Sequence, residues 1–154
     1  MKSFPAASTV IATALGSVLA AAFLAAAPPV WAQSQLPQGC AQIEVQNLRP
    51  NQGQLMVAAF GSADTYRKKP LSQLIVAAGD SATQRFQLCG LGNSSEVALT
   101  LFQDLDSDGR IGLNLVGIPT EPWGSSGTPG TFGPTWETSR VKLDGSVILV
   151  RMSS

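Results

Sequence analysis

The sequence predicts an all-β fold, a sandwich of two antiparallel sheets of the immunoglobulin-like or transthyretin-like kind. Three observations lead to this prediction. Short apolar segments recur after residue 40, their residues alternate between apolar and polar with a period of two, and Gly, Pro, Asn or Asp residues separate them. About seven such segments fit with little or no helix, and regularly spaced short strands are typical of sandwiches.

The first four strands are predicted from alternation and from the turn residues that end them. They cover residues 40–48, 54–60, 71–78 and 83–88. Pro50, Asn51 and Gly53 predict a turn, so we expect the first two strands to pair as a hairpin. Helix is the alternative for the third segment. The polar residues 61–70 predict a loop or a single helical turn.

The last three strands lie on either side of a long loop. The apolar segment 96–102 predicts a central strand, and residues 104–136 predict one long loop because they are rich in Gly and Pro. Residues 137–143 and 146–152 predict a final pair of strands. Asp144-Gly145 between them is a strong signal for a tight hairpin.

The first 32 residues have the composition of a secretory signal peptide. Lys2 precedes an apolar run over residues 9–27, and Val30 and Ala32 supply the small residues of a cleavage site. We expect cleavage after Ala32, which leaves a single secreted or periplasmic domain over residues 33–154. An uncleaved membrane anchor is the alternative, because the run approaches the ~20 residues that span a bilayer.

Cys40 and Cys89 are the two cysteines of the chain. An exported chain meets an oxidising compartment, so we expect them to form a disulfide. A bond that closes a loop of about 50 residues stabilises a fold by about 4 kcal/mol in the chain-entropy treatment. Two free buried thiols are the alternative. A metal pair is less favoured, because two thiolates without histidine make half a zinc site.

Composition excludes several classes of function. The chain has no histidine, which removes the general base of Ser-His-Asp and Cys-His enzymes. Ten basic residues balance ten acidic ones, so we expect neither a nucleic-acid partner nor, after signal cleavage, a membrane partner. The basic run 67–69 is too short for a nucleic-acid footprint and predicts a solvated loop. We therefore expect a protein that is not an enzyme.

The strongest chemical motif is D-L-D-S-D-G at residues 104–109. Carboxylates at the first, third and fifth positions with Gly at the sixth match the front half of a calcium-binding loop. The twelfth position should be Glu but is Leu115, so a later carboxylate must replace it. A solvated turn is the alternative interpretation. The predicted ligands are Asp104, Asp106, Asp108, the backbone carbonyl of Arg110, and Glu121.

Two further groups of side chains are candidates for chemistry. Trp123, Phe132 and Trp136 lie among Gly and Ser residues, where aromatic rings can stack on a glycan or peptide ligand. Their alternative role is to fold back and cap the core. Asp104 and Glu121 are the candidate acid/base pair of a glycan hydrolase, which is our alternative function.

The order of these motifs resembles that of a known family. The motifs are I-E-V-Q-N-L at 43–48, G-Q-L-M-V-A-A-F at 53–60, the acidic loop at 104–109, G-I-P-T-E at 117–121, and W-G-S-S at 123–126. They resemble the secreted bacterial proteins catalogued as domain of unknown function family 2141, over roughly residues 43–150. The resemblance implies a secreted, sandwich-like domain and no particular activity. The family often has His where this chain has Gln103.

These observations together predict a secreted or periplasmic binding or structural domain of unknown ligand, stabilised by calcium.

Overall fold

A computed structural model describes residues 36–128, 130 and 133–153 of the chain. These residues fall within one compact unit, Ser34–Ser154. The expected signal peptide at 1–32 and the candidate ligand-binding residue Phe132 lie outside the described residues.

The described part of the chain is almost entirely β-structure, which confirms the predicted fold class. A single helical turn, α1, covers Trp136–Ser139. The strands are β1 (Cys40–Gln46), β2 (Gln54–Phe60), β3 (Ser72–Ala77), β4 (Thr83–Cys89), β5 (Glu96–Asp104), β6 (Trp123–Ser125), β7 (Arg140–Lys142) and β8 (Ile148–Arg151).

The strands form two sheets. The first has the order β4-β1-β8, in which β1 pairs with β4 antiparallel and with β8 parallel. The second has the order β3-β2-β5-β6, and β7 pairs with the other end of β5. Alternate residues of both sheets face inward and form one apolar core, as a half-buried strand requires. Its fully buried members include Ile43, Val45, Leu55, Val97, Leu99 and Val150.

Both predicted hairpins are wrong. Strands β1 and β2 lie in different sheets, and so do β7 and β8. The turn after β1 takes the chain from the first sheet to the second. It lies next to the segment between β3 and β4, where the chain returns to the first sheet. The N–H of Leu48 donates to the carbonyl of Ala82 at 3.0 Å, and that of Asn51 donates to the carbonyl of Gly79 at 2.7 Å. A turn signal shows that the chain reverses, but it does not show which sheet it enters next.

The region after residue 120 differs from the prediction in two further ways. Strand β6 lies inside the predicted loop, where three residues are too few to show a period. Residues 136–139 form a helical turn instead of the start of a strand. Thr135 and Thr138 make reciprocal capping bonds at the N-terminus of that turn, at 3.0 Å and 3.3 Å between backbone nitrogen and hydroxyl oxygen.

The disulfide between Cys40 and Cys89 is present, with the two Cα atoms 4.0 Å apart. The two residues are direct partners in the antiparallel register of β1 and β4. The bond therefore ties the first strand to the fourth, as predicted.

Candidate metal centre

Strand β5 delivers Asp104 to the start of the acidic loop. Asp104 is fully buried and lies opposite Gln54 in the register of β2 and β5. Its Oδ2 accepts hydrogen bonds from the Gln54 amide at 3.1 Å and from the Gly109 N–H at 3.0 Å. Its Oδ1 is also buried, and it has no hydrogen-bond partner among the described residues. A buried carboxylate oxygen in that condition is energetically costly, so it is a place where a cation would be stabilising.

The loop brings the three aspartates together. Asp104, Asp106 and Asp108 each place a carboxylate oxygen within 4.8 Å of the other two. The Asp108 N–H donates to Asp106 Oδ1 at 3.2 Å, and the Arg110 N–H donates to Asp108 Oδ1 at 2.7 Å. These short-range bonds curl the chain, so that carboxylates at alternate positions converge. The spacing in the sequence predicted this convergence.

Glu121 does not belong to the group of three aspartates. Its carboxylate is buried and binds the backbone of the loop instead: Oε1 accepts from the Leu105 N–H at 2.7 Å, and Oε2 accepts from the Gly112 N–H at 2.8 Å. These bonds fasten together the two ends of the segment 105–112. We call this arrangement the neck of the loop. Arg110 lies exposed between these ends.

The surroundings of Asp104 keep its carboxyl group ionised. Burial by itself raises the pKa of Asp104. Hydrogen bonds from Gln54 and from backbone N–H groups of the loop, Gly109 foremost, outweigh burial and hold the pKa below its ordinary value. The buried carboxylate is thus a negative charge in the folded protein at neutral pH.

This lowered pKa sets the direction of a pH effect. The ionised form of Asp104 stabilises the folded state above the ordinary pKa of about 3.9, and this contribution is lost as the pH falls through the lowered folded-state pKa. Without calcium, the wild-type free energy of unfolding should fall relative to that of Asp104→Asn as the pH drops below about 4. Urea titrations of both proteins across this range measure the difference. Parallel stability curves would contradict the prediction.

Two neighbouring glutamines lie at the site, and the sequence had indicated a role for neither of them. Gln54 reaches Asp104 only because of the strand register, which no local pattern reveals. Gln103, on the opposite face of β5, is fully buried and holds the turn after β1. Its amide nitrogen donates to the carbonyls of Arg49 and Gln52, both at 2.7 Å, and its Oε1 accepts from the Arg49 N–H at 2.9 Å. Gln103 therefore fastens the turn after β1 to the end of β5, next to Asp104.

The candidate ligand-binding aromatic residues lie in different surroundings. Trp123 pairs with Phe102 across β6 and β5, and it remains partly exposed beside a pocket of about 250 Å³. Trp136 packs edge-on against Tyr66, with 6.4 Å between ring centroids, and Tyr66 packs in the same way on Phe60 at 5.3 Å. The stack supports the capping role for Trp136, whereas Trp123 faces the pocket.

The fold and this loop define an all-β, disulfide-linked sandwich domain that carries a cluster of three aspartates. The family described as "Uncharacterized protein conserved in bacteria (DUF2141)" matches residues 43–149, and the chain belongs to this family. The match includes strands of both sheets, the acidic loop and Glu121. Searches of the curated proteins and of the solved structures found no match to the chain. In the part of the chain described, no helix has the length and apolar character needed to cross a membrane.

Proposed function

We propose that the protein is a binding or structural domain of the bacterial periplasm or cell exterior, and that its acidic loop binds calcium. The observation that carries the proposal is the buried, unpartnered Oδ1 of Asp104 beside the exposed carboxylates of Asp106 and Asp108. Two carboxylates about 5 Å apart repel each other by about 1–3 kcal/mol at an effective dielectric between 20 and 80. A bound cation removes this repulsion and gives the buried oxygen a partner.

The ligand set favours calcium over other divalent cations. It consists of carboxylate oxygens, and the neighbouring backbone and solvent can add further oxygens. Calcium accepts six to eight oxygen ligands in an irregular arrangement, whereas magnesium requires a small and nearly ideal octahedron. Because Glu121 binds the backbone at the neck, the cluster lacks the bidentate carboxylate that the twelfth position of a calcium-binding loop usually supplies. We therefore expect a weak site, with a dissociation constant of ~0.1–1 mM, as in extracellular calcium modules.

An extracytoplasmic location is supported by two features. The Cys40–Cys89 disulfide is compatible with an oxidising compartment. The first 32 residues have the composition of a signal peptide. Millimolar calcium is also available outside the cytoplasm, where a weak site can be filled.

Calcium should raise the melting temperature of the mature protein. At about ten times the dissociation constant, a ligand that binds only the folded state stabilises it by about 1.4 kcal/mol. This corresponds to about 5 °C for a domain of this size. Differential scanning fluorimetry with about 5 mM calcium measures the shift, and the same concentration of magnesium should give a smaller one.

The matched variants are Asp106→Asn and Asp80→Asn. Both remove one charge from an exposed aspartate, but only Asp106 belongs to the cluster. Asp106→Asn should abolish the calcium shift without lowering the calcium-free melting temperature, because it also relieves repulsion within the cluster, whereas Asp80→Asn should retain the shift. A wild-type melting curve that calcium does not move would refute the proposed site.

The geometry gives less support to the alternative, a glycan hydrolase. A general acid needs a raised pKa near the working pH, but the pKa of Asp104 is lowered. Both carboxylates of the candidate pair accept backbone N–H bonds that hold the loop. We therefore assign Asp104 and Glu121 binding and structural roles. Trp123, at its pocket, remains our candidate contact for a glycan or peptide ligand.

A further inference from the structure

Strand β3 forms one edge of the second sheet, and among the described residues it pairs with β2 alone. The Ala78 N–H donates to the Gly53 carbonyl at 3.2 Å, and the direction of the backbone groups alternates along an antiparallel pair. The even-numbered residues of β3 therefore direct their N–H and C=O groups toward β2. The odd-numbered residues, Gln73, Ile75 and Ala77, direct theirs toward the open edge.

One end of this open edge is already closed by a side chain. The Gln84 amide lies there: its Oε1 accepts from the Gly79 N–H at 3.0 Å, and its nitrogen donates to the Ala77 carbonyl at 3.0 Å. The second bond agrees with a carbonyl that points away from β2. Gln73 and Ile75 have no such partner at this edge among the described residues. A row of open backbone groups is a template for another strand.

Strand β3 lacks the features that normally keep sheet edges apart. Residues 71–79 have the sequence L-S-Q-L-I-V-A-A-G, without a charge or a proline. Ile75 is 57% exposed, and Leu71, just before the strand, is 47% exposed. Strand β6 has only three residues. The remaining edge strands carry basic residues, which are Arg85 on β4, Arg140 and Lys142 on β7, and Arg151 on β8. Charges at an edge oppose pairing with another edge.

We propose that two copies of the chain pair through β3, edge to edge and antiparallel about a two-fold axis. Such an axis brings identical edges together, so a charged edge meets its own charge, whereas the uncharged β3 does not. The open backbone groups fit the same symmetry. Gln73 and Ala77 lie two residues to either side of Ile75, so Ile75 pairs with its own counterpart and Gln73 with the counterpart of Ala77. This complementarity belongs to the strand itself and needs no second protein.

The paired edges gain hydrogen bonds and apolar contacts. At the axis, the two copies of Ile75 exchange both N–H···O bonds, and their side chains meet on the outer face of the sheet. The Ala77 carbonyl keeps a second lone pair beside its bond from Gln84. Leu74 and Val76, which are partly buried against the core, become covered. One strand edge is smaller than the ~1,200 Å² that stable complexes bury, so we expect a weak, reversible dimer. The proposal does not depend on the calcium site.

Sedimentation equilibrium of the mature chain tests the proposal. Residues 33–154 are used, because the compact unit begins at Ser34 and the apolar run at 9–27 would itself associate. The mean mass should rise from that of a monomer toward that of a dimer between about 10 and about 500 µM. A chain that remains a monomer over this range would overturn the proposal.

Ile75→Lys and Leu149→Lys form a matched pair of variants. Leu149 is 42% exposed on β8, an edge of the other sheet, so both variants add the same charge to an exposed edge strand. Ile75→Lys places two like charges side by side at the axis and should weaken the dimer by about tenfold or more. Leu149→Lys should leave the dimer unchanged. Equal losses in the two variants, or no loss in Ile75→Lys, would contradict the proposal.

Cysteine cross-linking tests the register of the pair. Ile75→Cys brings two thiols to residues whose Cα atoms lie about 5.5 Å apart in the dimer, which is within the range of a disulfide. Gln73→Cys is the control, because Gln73 is exposed on the same face of β3 but lies about 14 Å from its own counterpart. Oxidation should give a covalent dimer of Ile75→Cys and not of Gln73→Cys. Equal cross-linking of both variants, or of neither, would exclude this pairing. The cysteine variants decide the case if Ile75→Lys does not fold.

Discussion

Replacing Cys40 and Cys89 together by alanine is expected to lower the free energy of unfolding by about 2–5 kcal/mol. The bond joins direct cross-strand partners and spans a sequence separation of 49 residues. The enclosed segment contains β2 and β3, which belong to the other sheet. Breaking the bond therefore releases a loop that runs through both sheets, and the unfolded chain gains the corresponding conformational entropy.

Urea unfolding followed by tryptophan fluorescence measures this loss, and reduction of the wild-type protein should reproduce it. The double variant should also melt about 10 °C or more below the wild type. Intact mass of the exported, unreduced protein is the control, because it should correspond to a chain that begins at Gln33 and contains the disulfide. Alkylation of two thiols without reductant, or a loss below about 1 kcal/mol, would contradict the prediction.

The positions of the strands were predictable because alternation is a local property. Strand β2 coincides with its prediction at Gln54–Phe60, and β1, β3 and β4 differ from theirs by one or two residues at one or both ends. Which strands pair with one another was not predictable in the same way. The parallel pairing of β1 with β8 depends on how the chain crosses between the two sheets, and long-range bonds, such as those that Gln103 makes to the turn after β1, hold these crossings in place.

The candidate site shows the same difference between local features, which were predictable, and long-range features, which were not. The spacing of Asp104, Asp106 and Asp108 predicted their convergence, because the bonds that curl the loop connect residues close in sequence. The role of Glu121 could not be predicted, because its partners are backbone N–H groups whose positions depend on the whole path of the loop. The sequence 113–118 contains aliphatic residues that are common in a core, and only the folded chain shows them exposed.

Glu121→Ala is expected to lower the free energy of unfolding by about 2–4 kcal/mol, since each N–H bond to a buried carboxylate contributes about 1.5–3 kcal/mol and the loop can relax in part. The substitution leaves the N–H groups of Leu105 and Gly112 without their acceptors. The neck then opens, and the calcium shift should weaken as the aspartates separate. Urea unfolding with and without calcium measures both effects.

Glu137→Ala is the matched control, because Glu137 is exposed and pairs with Arg140 at 3.0 Å on the surface. Exposed pairs contribute at most about 1 kcal/mol, so this variant should remain close to the wild type.

Glu121→Gln separates two roles for the glutamate. An amide keeps one acceptor oxygen but turns its NH₂ group toward a backbone N–H. If Glu121 holds the neck closed, Glu121→Gln therefore lowers the stability of the protein even without calcium. If Glu121 acted mainly as a calcium ligand, Glu121→Gln would lose stability only when calcium is present, and the neck would not depend on its carboxylate.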